Sequence, residues 1–216
     1  MSVPEFKSLL RQRIIEVPTC IAHASGIRIF GRLIRSLLFT TDIAIIRNNN
    51  ADAVIAVYPF TPQPAITHAI MIAAESPVLC GVGGGTTSGS RVVNLALDAE
   101  FQGAFGVVVN SPISNDVVAQ LKERIDIPIV VTVVSDKTDI DARLKAGADI
   151  INISGASKTA EIVAAIRKQY PYIPIIATGG PTDESIEATI AAGANAITYT
   201  PPTSAKLFSE LMTKYR

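Results

Sequence analysis

Two titratable side chains of this sequence follow apolar segments and could move a proton. His23 lies near the end of the apolar segment that begins at Val17, and its imidazole titrates near neutral pH. A structural histidine, hydrogen-bonded beside Ser25, is the alternative interpretation. Asp136 follows a second apolar segment and is either a general base or the cap of a helix that starts near Thr138.

Two amides and two arginines could stabilise or bind negative charge. Asn110 and Asn152 each end an apolar segment, where a carboxamide can donate to a carbonyl or enolate oxygen. Arg28 and Arg91 each follow such a segment closely and could hold a carboxylate or phosphate through two parallel hydrogen bonds. The predicted catalytic residues are His23, Asn110, Asp136 and Asn152.

The glycine-rich stretch PVLCGVGGGTTSGSRV, residues 77–92, predicts one wall of a binding site. Its spacing from Gly84 to Gly89 is that of a nucleotide-binding P-loop, but Ser90 and Arg91 replace the lysine and hydroxyl residue that this motif requires. Because glycines allow a ligand to approach the backbone, we expect contact with a small ligand instead of a nucleotide. The predicted substrate-binding residues are Arg28, Tyr58, Gly83, Gly84, Gly85 and Arg91.

Two kinds of short strand signal alternate along the chain. One kind has a proline at its entrance, the other has a small or polar entrance, and both continue with apolar residues. Near-continuous apolar strands are typical of parallel strands buried on both faces. In chain order the segments are VPTCIAHA from Val17, NADAVIAVYP from Asn50, SPVLCGVG from Ser76, GAFGVVVNS from Gly103, IPIVVTVVS from Ile127, GADIINISG from Gly147, IPIIATGG from Ile173 and GANAITYTP from Gly193.

The segments between these strands show the apolar spacing and the cap and stop residues of helices. Residues 26–49 are interpreted as helix with a break near residues 39–41, and SVPEFKSLLRQRI, residues 2–14, as an extra N-terminal helix. Strand and helix repeated eight times predict a single (β/α)8 TIM barrel over residues 1–216. An open doubly wound sheet is the alternative, disfavoured because the repeat runs evenly to the C-terminus.

In such a barrel the site lies at the carboxyl ends of the strands, where this sequence carries an anion-binding pattern. The stretch ATGG, residues 177–180, ends the seventh predicted strand directly before a helix, whose N-terminus could bind phosphate. A tight turn is the alternative interpretation of the two glycines. The predicted phosphate-binding residues are Gly155, Gly179, Gly180, Thr200 and Ser204.

Three motifs follow predicted strands: FTPQPAITHAI from Phe60, GVGGGTT from Gly81 and ATGG from Ala177. In these motifs the chain resembles the ribulose-phosphate-binding group of TIM barrels, nearest the keto-deoxy-phosphogluconate aldolase type, over about residues 50–200. The resemblance implies a barrel with a phosphate site. It does not carry over Schiff-base catalysis, because Asn152 stands about where that family has its lysine and the second predicted strand ends without the family's glutamate.

The bulk composition excludes several classes of partner. Among 216 residues, 48% are hydrophobic and 19 basic residues balance 19 acidic ones, so no net charge attracts nucleic acid or an acidic membrane. The chain has no signal-like or membrane-spanning segment, which predicts a cytoplasmic protein. Cys20 and Cys80 are expected to be buried and reduced, and no metal and no cofactor are predicted. The stretch GIRIFGRLIRSLLF from Gly26 is either the self-association face of a homo-oligomer or the first barrel helix.

Three functions remain open at this point. The leading hypothesis is an enzyme that isomerises, decarboxylates or cleaves a small anionic substrate, phosphorylated or carboxylated, without a Schiff base. The second is a non-catalytic barrel that senses a phosphorylated ligand, because the predicted mouth has few ionisable groups. A hydrolase ranks last, since the sequence has no GxSxG elbow and no visible nucleophile–base pair.

Overall fold

The computed structural model describes Pro4, Ser8 and residues 14–215, so most of the helix predicted for residues 2–14 lies outside the described residues. The first two strands form an antiparallel hairpin, with β1 at Ile27–Ile29 and β2 at Arg32–Ile34. The later strands are β3 Ser36–Phe39, β4 Ala53–Ala56, β5 Val78–Gly83, β6 Gly106–Val109, β7 Ile129–Val133, β8 Ile150–Ile153, β9 Ile175–Thr178 and β10 Ala196–Tyr199. The α-helices are α1 Ile43–Arg47, α2 Pro64–Ala73, α3 Ser90–Phe101, α4 Asn115–Arg124, α5 Ile140–Lys145, α6 Thr159–Gln169, α7 Asp183–Ala191 and α8 Ser204–Tyr215.

Strands β3 to β10 form a closed parallel barrel. Each strand pairs with its neighbour in the chain, and β10 closes on β3 through Ile197 and Ser36. The predicted (β/α)8 barrel is therefore confirmed. Of the described helices, none is long and apolar enough to cross a membrane.

The position of the first strand was predicted wrongly. The segment that begins at Val17 forms a 3-10 helix, Thr19–His23, which packs on α7, and the first barrel strand is β3. Residues 26–49, predicted to be largely helical, hold the hairpin, β3 and only the short helix α1. The hairpin turn has positive φ at both Phe30 and Gly31, as a two-residue turn of type I′ requires.

The hairpin closes the amino-terminal end of the barrel. Ile27, Ile29 and Ile34 are buried in the same cluster as the side chains inside the barrel. The ring of Phe30 also packs edge to face on Phe105, which directly precedes β6. Because this end is plugged by apolar side chains, a ligand can enter only from the carboxyl ends of the strands.

The barrel interior is apolar at its closed end and becomes polar towards the mouth. The pairings stagger neighbouring strands, so inward side chains from alternate strands lie at one level. Leu37, Leu79, Val130 and Ile176 form an apolar level. The next level towards the mouth contains Ile55, Val108, Asn152 and Thr198, and the one above it contains Phe39, Gly81, Thr132 and Thr178.

Candidate functional site

The barrel strands carry hydroxyl and amide groups towards the mouth and no charge. All eight lie within the described residues, and none contains Asp, Glu, Lys, Arg or His. The strand residues with polar side chains that face inwards at the mouth are Thr132, Asn152, Thr178 and Thr198, and Asn110 follows β6 directly. These groups can orient a ligand by hydrogen bonds, whereas a charged ligand group finds no counter-ion on the strands.

Three of these side chains form one hydrogen-bonded chain across neighbouring strands. The amide Nδ2 of Asn152 donates to Oγ1 of Thr132 at 3.1 Å, and this hydroxyl donates to Oδ1 of Asn110 at 3.0 Å. Thr132 thereby uses its only proton and fixes the relative orientation of the two amides. The arrangement directs Nδ2 of Asn110 away from the network.

Two buried oxygen atoms beside this network have no partner in the described part of the chain. They are Oδ1 of Asn152 and Oγ1 of Thr198, and the two residues are only 8% and 7% exposed. An unpaired buried polar atom costs about 1–3 kcal/mol, so native proteins rarely keep one without a functional reason. This pair is therefore the strongest structural indication of a ligand position.

The glycine-rich loop forms a small pocket beside Asn110, with a volume of about 30 Å³. Gly81 faces into the barrel, where an added Cβ would lie 3.0 Å from Val57 and 3.1 Å from the carbonyl oxygen of Ala56. The pocket is lined by Val57, Tyr58, Phe60, Pro62, Gly81, Gly83, Gly84 and Asn110. A space of this size holds one water-sized group.

Glycine is required at Gly83, Gly84 and Gly85 for different physical reasons. A side chain on Gly83 would collide with Val92, and one on Gly84, whose φ is +108°, would collide with the backbone carbonyl of Asn110. Gly85 has open space around it and needs glycine only for its φ of +66°. Gly83 and Gly84 thus hold the loop tightly against β6, which positions Asn110.

The loop after β9 contains the predicted glycines Gly179 and Gly180, and acidic side chains follow it in the first turn of α7. Gly179 is buried between Ile186 and Ile197, and Gly180 has a φ of +88°. Thr182 caps α7 by accepting the backbone N–H of Ser185. The first turn of this helix carries Asp183 and Glu184, and hydrogen bonds from its own backbone N–H and from Thr182 lower the pKa of Glu184. A phosphate here would bind backbone N–H groups but would lie close to two carboxylates.

Ser204 was predicted to bind phosphate, and the structure places its hydroxyl on a carboxylate instead. Oγ of Ser204 donates to Oδ2 of Asp42, the residue that caps α1 through the backbone N–H groups of Ala44 and Ile45. The hydrogen bond from Ser204 lowers the pKa of Asp42. Since the carboxylate holds the Ser204 hydroxyl, a phosphate in the neighbouring loops is left with Gly179, Gly180 and the exposed Thr200.

Two predicted site residues do not lie at the mouth. His23 belongs to the 3-10 helix outside the barrel, where its Nδ1 contacts Oε1 of Glu187 on α7 at 2.7 Å. Arg28 lies in β1 at the plugged end, and its guanidinium donates to the carbonyl of Gly31. The predicted position of both residues at the mouth was wrong, because it depended on a first barrel strand at Val17.

The remaining predicted residues lie in loops around the mouth. Asp136 is exposed after β7, accepts the hydroxyl of Ser135 and lines a groove between α5 and α6. Arg91 is exposed in the first turn of α3, and the hydroxyl of Tyr58 accepts the backbone N–H of Gln63. Gly155 follows β8 and packs against Ile162. Asp136 makes no hydrogen bond with the amide network of Asn110, Thr132 and Asn152.

Sequence reasoning missed Thr132, which connects the two predicted amides. Its signal was available, because it is the one polar residue inside the apolar strand β7. Among the described residues, no group of three or more His, Cys, Asp or Glu is placed to hold a metal ion. Cys20 and Cys80 are buried and unpaired, and burial raises the pKa of Cys80 to about 12.

Comparison with known proteins gives one partial relative in sequence. No protein-family model matches the chain. A protein of Shouchella clausii, strain KSM-K16, named putative N-acetylmannosamine-6-phosphate 2-epimerase, is 29% identical over 111 residues that cover 44% of this chain. The match spans 48% of that relative, about half its length.

Solved structures share the barrel. 2,3-Dimethylmalate lyase, a member of the PEP mutase/isocitrate lyase superfamily, has a TM-score of 0.64 at 14% identity, over 90% of this chain and 82% of that one. Phosphonopyruvate hydrolase with oxalate and Mg²⁺ has a TM-score of 0.62 at 13% identity, over 90% and 83%. Thiamine phosphate pyrophosphorylase from Pyrococcus furiosus has a TM-score of 0.58 at 17% identity, over 77% and 85%. At these identities the likeness establishes the TIM-barrel fold, while the aldolase type stays a prediction.

Proposed function

We propose that this chain is an enzyme for a small phosphorylated or carboxylated metabolite, acting as an isomerase, a decarboxylase or a carbon–carbon lyase without a Schiff base. The observation that carries the proposal is the buried polar level at the open end of the barrel, where Asn152 and Thr198 keep unpaired oxygen atoms. Catalytic barrels bind their substrates at this end. The barrel strands, all of them described, contain no lysine that could form an imine.

The partial relative supports the same class of reaction. Its name assigns it the epimerisation of a phosphorylated amino sugar. The names of the structural neighbours include a lyase and a hydrolase of a phosphonate. The likeness of fold alone could not favour any of these activities, so the proposal depends on the polar groups at the mouth.

In this proposal the two amides stabilise negative charge that develops on the substrate. The N–H groups of Asn110 would donate to a carbonyl oxygen as it becomes an enolate, and Asn152 would orient Asn110 through Thr132. A phosphate would bind at the rim to the backbone after β9, at Gly179 and Gly180. Arg91 follows β5 on the opposite side of the barrel and would bind a second anionic group, such as a carboxylate. Asp136 is the proposed base, and its exposed loop would have to approach the substrate when the ligand binds.

The experiment is a thermal-shift screen of phosphorylated sugars and sugar acids, followed by a turnover assay with each compound that stabilises the protein. We expect at least one compound to raise Tm, and Arg91→Ala to weaken that effect. Arg28→Ala is the matched control, because Arg28 is an exposed arginine at the plugged end of the barrel. Absence of any stabilising compound, or an equal effect of the two arginine variants, would contradict the proposal.

A second candidate function is a non-catalytic barrel that binds a phosphorylated ligand. The observation in its favour is that the barrel strands, all of them described, contain no Asp, Glu, His, Lys or Arg. Tight binding of a compound without any turnover would favour this function over the enzyme.

A further inference from the structure

Helix α2, Pro64–Ala73, has an unusual composition for a helix on the outside of a barrel. Its sequence is PAITHAIMIA, and of the eight α-helices in the described part of the chain it alone contains no Asp, Glu, Lys or Arg. A helix without a charged side is typical of a buried position. In α2, however, only Ile70 is fully buried. Most of this apolar helix is therefore left in contact with solvent.

Five residues of α2 lie along one face of the helix, which we call the α2 face. Ile72 is 70% exposed and Ile66 is 36% exposed. Ala65 and Ala69 are exposed as well, and Ala73 is half-buried. Residues three, four and seven positions apart are neighbours on a helix, so these side chains form one apolar stripe. A continuous uncharged stripe on the surface indicates a contact surface.

The α2 face is self-complementary about Ala69. The residues three positions before and after Ala69 are both isoleucine, and those four positions before and after it are both alanine. Two copies of α2 that pack antiparallel across a two-fold axis at Ala69 therefore place Ile66 of one copy against Ile72 of the other. Alanine on the axis allows the two helices to approach closely, so that the isoleucines pack on either side of it.

The size of the α2 face suits a small dimer interface. A helix of 10 residues is about 15 Å long. Phe60, which precedes the helix and is 72% exposed, extends the apolar surface towards the mouth. Two such surfaces with their rims would bury on the order of 1,000 Å², which lies at the low end for specific interfaces. The expected dimer is therefore weak and depends on protein concentration.

A lipid surface suits the α2 face less well. Helices that lie on membranes carry lysine and arginine on their polar side, and α2 has neither. Beside its C-terminal end, Arg47 is paired with Glu75 at 2.9 Å. The other stretch considered for self-association buries Ile27, Ile29 and Ile34 within its own chain. A second copy of this chain is the occupant that the symmetry of the α2 face favours.

We propose that two copies of this chain associate through the α2 face as an antiparallel two-fold pair, with Ala69 on the axis and Ile66 of each copy against Ile72 of the partner subunit. Because barrel helices run antiparallel to their strands, the two barrels lie side by side with their mouths in opposite directions. The inference does not depend on the proposed function, since the α2 face lies outside the barrel.

The first experiment is sedimentation velocity of the full chain at about 1–200 µM, a range that brackets a Kd of about 10 µM. The mass of the wild-type chain should rise from 22.8 kDa towards twice this value. Ile72→Glu should raise Kd by about a hundredfold or more, because the interface would bury a carboxylate without a partner. Tyr172→Glu is the control, because Tyr172 is 96% exposed and precedes β9 on the opposite side of the barrel. Circular dichroism checks that each variant is folded.

The second experiment tests the register of the pair by mixing two variants. Ile66→Lys alone and Ile72→Glu alone should both be monomeric, because each homodimer would place its charge against isoleucine. In an equimolar mixture the lysine of one chain meets the glutamate of the other, and the second contact keeps both isoleucines. The mixture should therefore regain a Kd within about tenfold of the wild-type value.

Three results would overturn the proposal. A wild-type chain that stays monomeric at the highest concentration would assign the α2 face to a lipid surface if the chain floats with phosphatidylcholine vesicles, and to a different protein if it does not. An unchanged Kd in Ile72→Glu would place any dimer interface elsewhere. Folded variants that are monomeric both alone and when mixed would exclude the antiparallel register about Ala69.

Discussion

Thr198 and Thr132 provide the sharpest test of the buried polar groups at the mouth, because they are equally buried and differ in whether their hydroxyl is hydrogen-bonded. Both are inward-facing threonines of the barrel and both are 7% exposed. The hydroxyl of Thr132 makes two hydrogen bonds, while that of Thr198 makes none in the described part of the chain. Valine has nearly the same shape, so each Thr→Val substitution changes mainly the hydroxyl.

The two substitutions should change stability in opposite directions. A buried hydroxyl without a partner costs about 1–3 kcal/mol, so Thr198→Val should raise the free energy of unfolding by about 1–2 kcal/mol. Thr132→Val removes two hydrogen bonds worth about 1 kcal/mol each and leaves the Asn152 amide unpaired, so it should lower the free energy of unfolding by about 2 kcal/mol. For a chain of this length, each kcal/mol shifts Tm by about 2–4 °C.

Urea unfolding at equilibrium measures both effects, provided that the slope m stays the same in all three proteins. The test is made without ligand, because a compound bound to Thr198 would reverse the sign for that variant. A loss of stability in Thr198→Val comparable with that in Thr132→Val would refute the reasoning. It would mean that the Thr198 hydroxyl is already hydrogen-bonded in the free protein, without a ligand as its partner.

Three further predictions concern the loops and the outer surface. Gly84→Ala should destabilise the protein by about 3 kcal/mol or more in urea unfolding, because its backbone has positive φ and an added Cβ would collide with a backbone oxygen; Gly85→Ala, which has open space, should cost only about 1 kcal/mol, and equal costs would contradict this account. The pKa of Asp42 is lowered in the folded state by the hydrogen bond from Ser204, so this carboxylate stabilises the fold above its unfolded pKa and loses that contribution as pH falls through the folded value. Ser204→Ala should therefore make unfolding free energy less dependent on pH in the acidic range, and an unchanged dependence would argue against the bond. His23→Ala should leave kcat/KM within about twofold of the wild-type value in any activity found, and a loss of about a hundredfold would restore a catalytic role for this residue.

The repeating part of the barrel could be predicted from the sequence for a local reason. From β4 to β10, each strand is an apolar run with a proline or a small residue at its entrance, and those signals lie within the strand itself. The segment IRIFGRLIRSLLF was misinterpreted as helix, although its first half alternates between apolar residues and arginine around a Phe-Gly turn. That alternation predicts a hairpin. The regular strand repeat elsewhere in the chain favoured a first strand at Val17 instead.

In the site, too, the features that neighbouring residues determine could be predicted, and those that depend on distant residues could not. The structure places Asn110, Asn152 and the glycine loop at the mouth, as predicted. Each lies at or next to the end of a strand, and strand ends can be predicted from neighbouring residues. Thr132 was missed because its role depends on the pairing between β7 and β8, which sets it beside Asn152. The hydrogen bond of Ser204 was missed because its partner, Asp42, is 162 residues away in the chain and meets it only when β10 closes on β3.

From β4 to β10 the sequence by itself thus determined the type and order of the elements, since strand and helix signals depend on neighbouring residues. Only the tertiary structure decided which polar groups are satisfied and which are free. That distinction depends on register and closure: the same stagger that aligns Thr132 with two amides leaves Thr198 without a partner. The unpaired oxygen atoms of Asn152 and Thr198 therefore follow from the closed barrel and from no single segment of the chain.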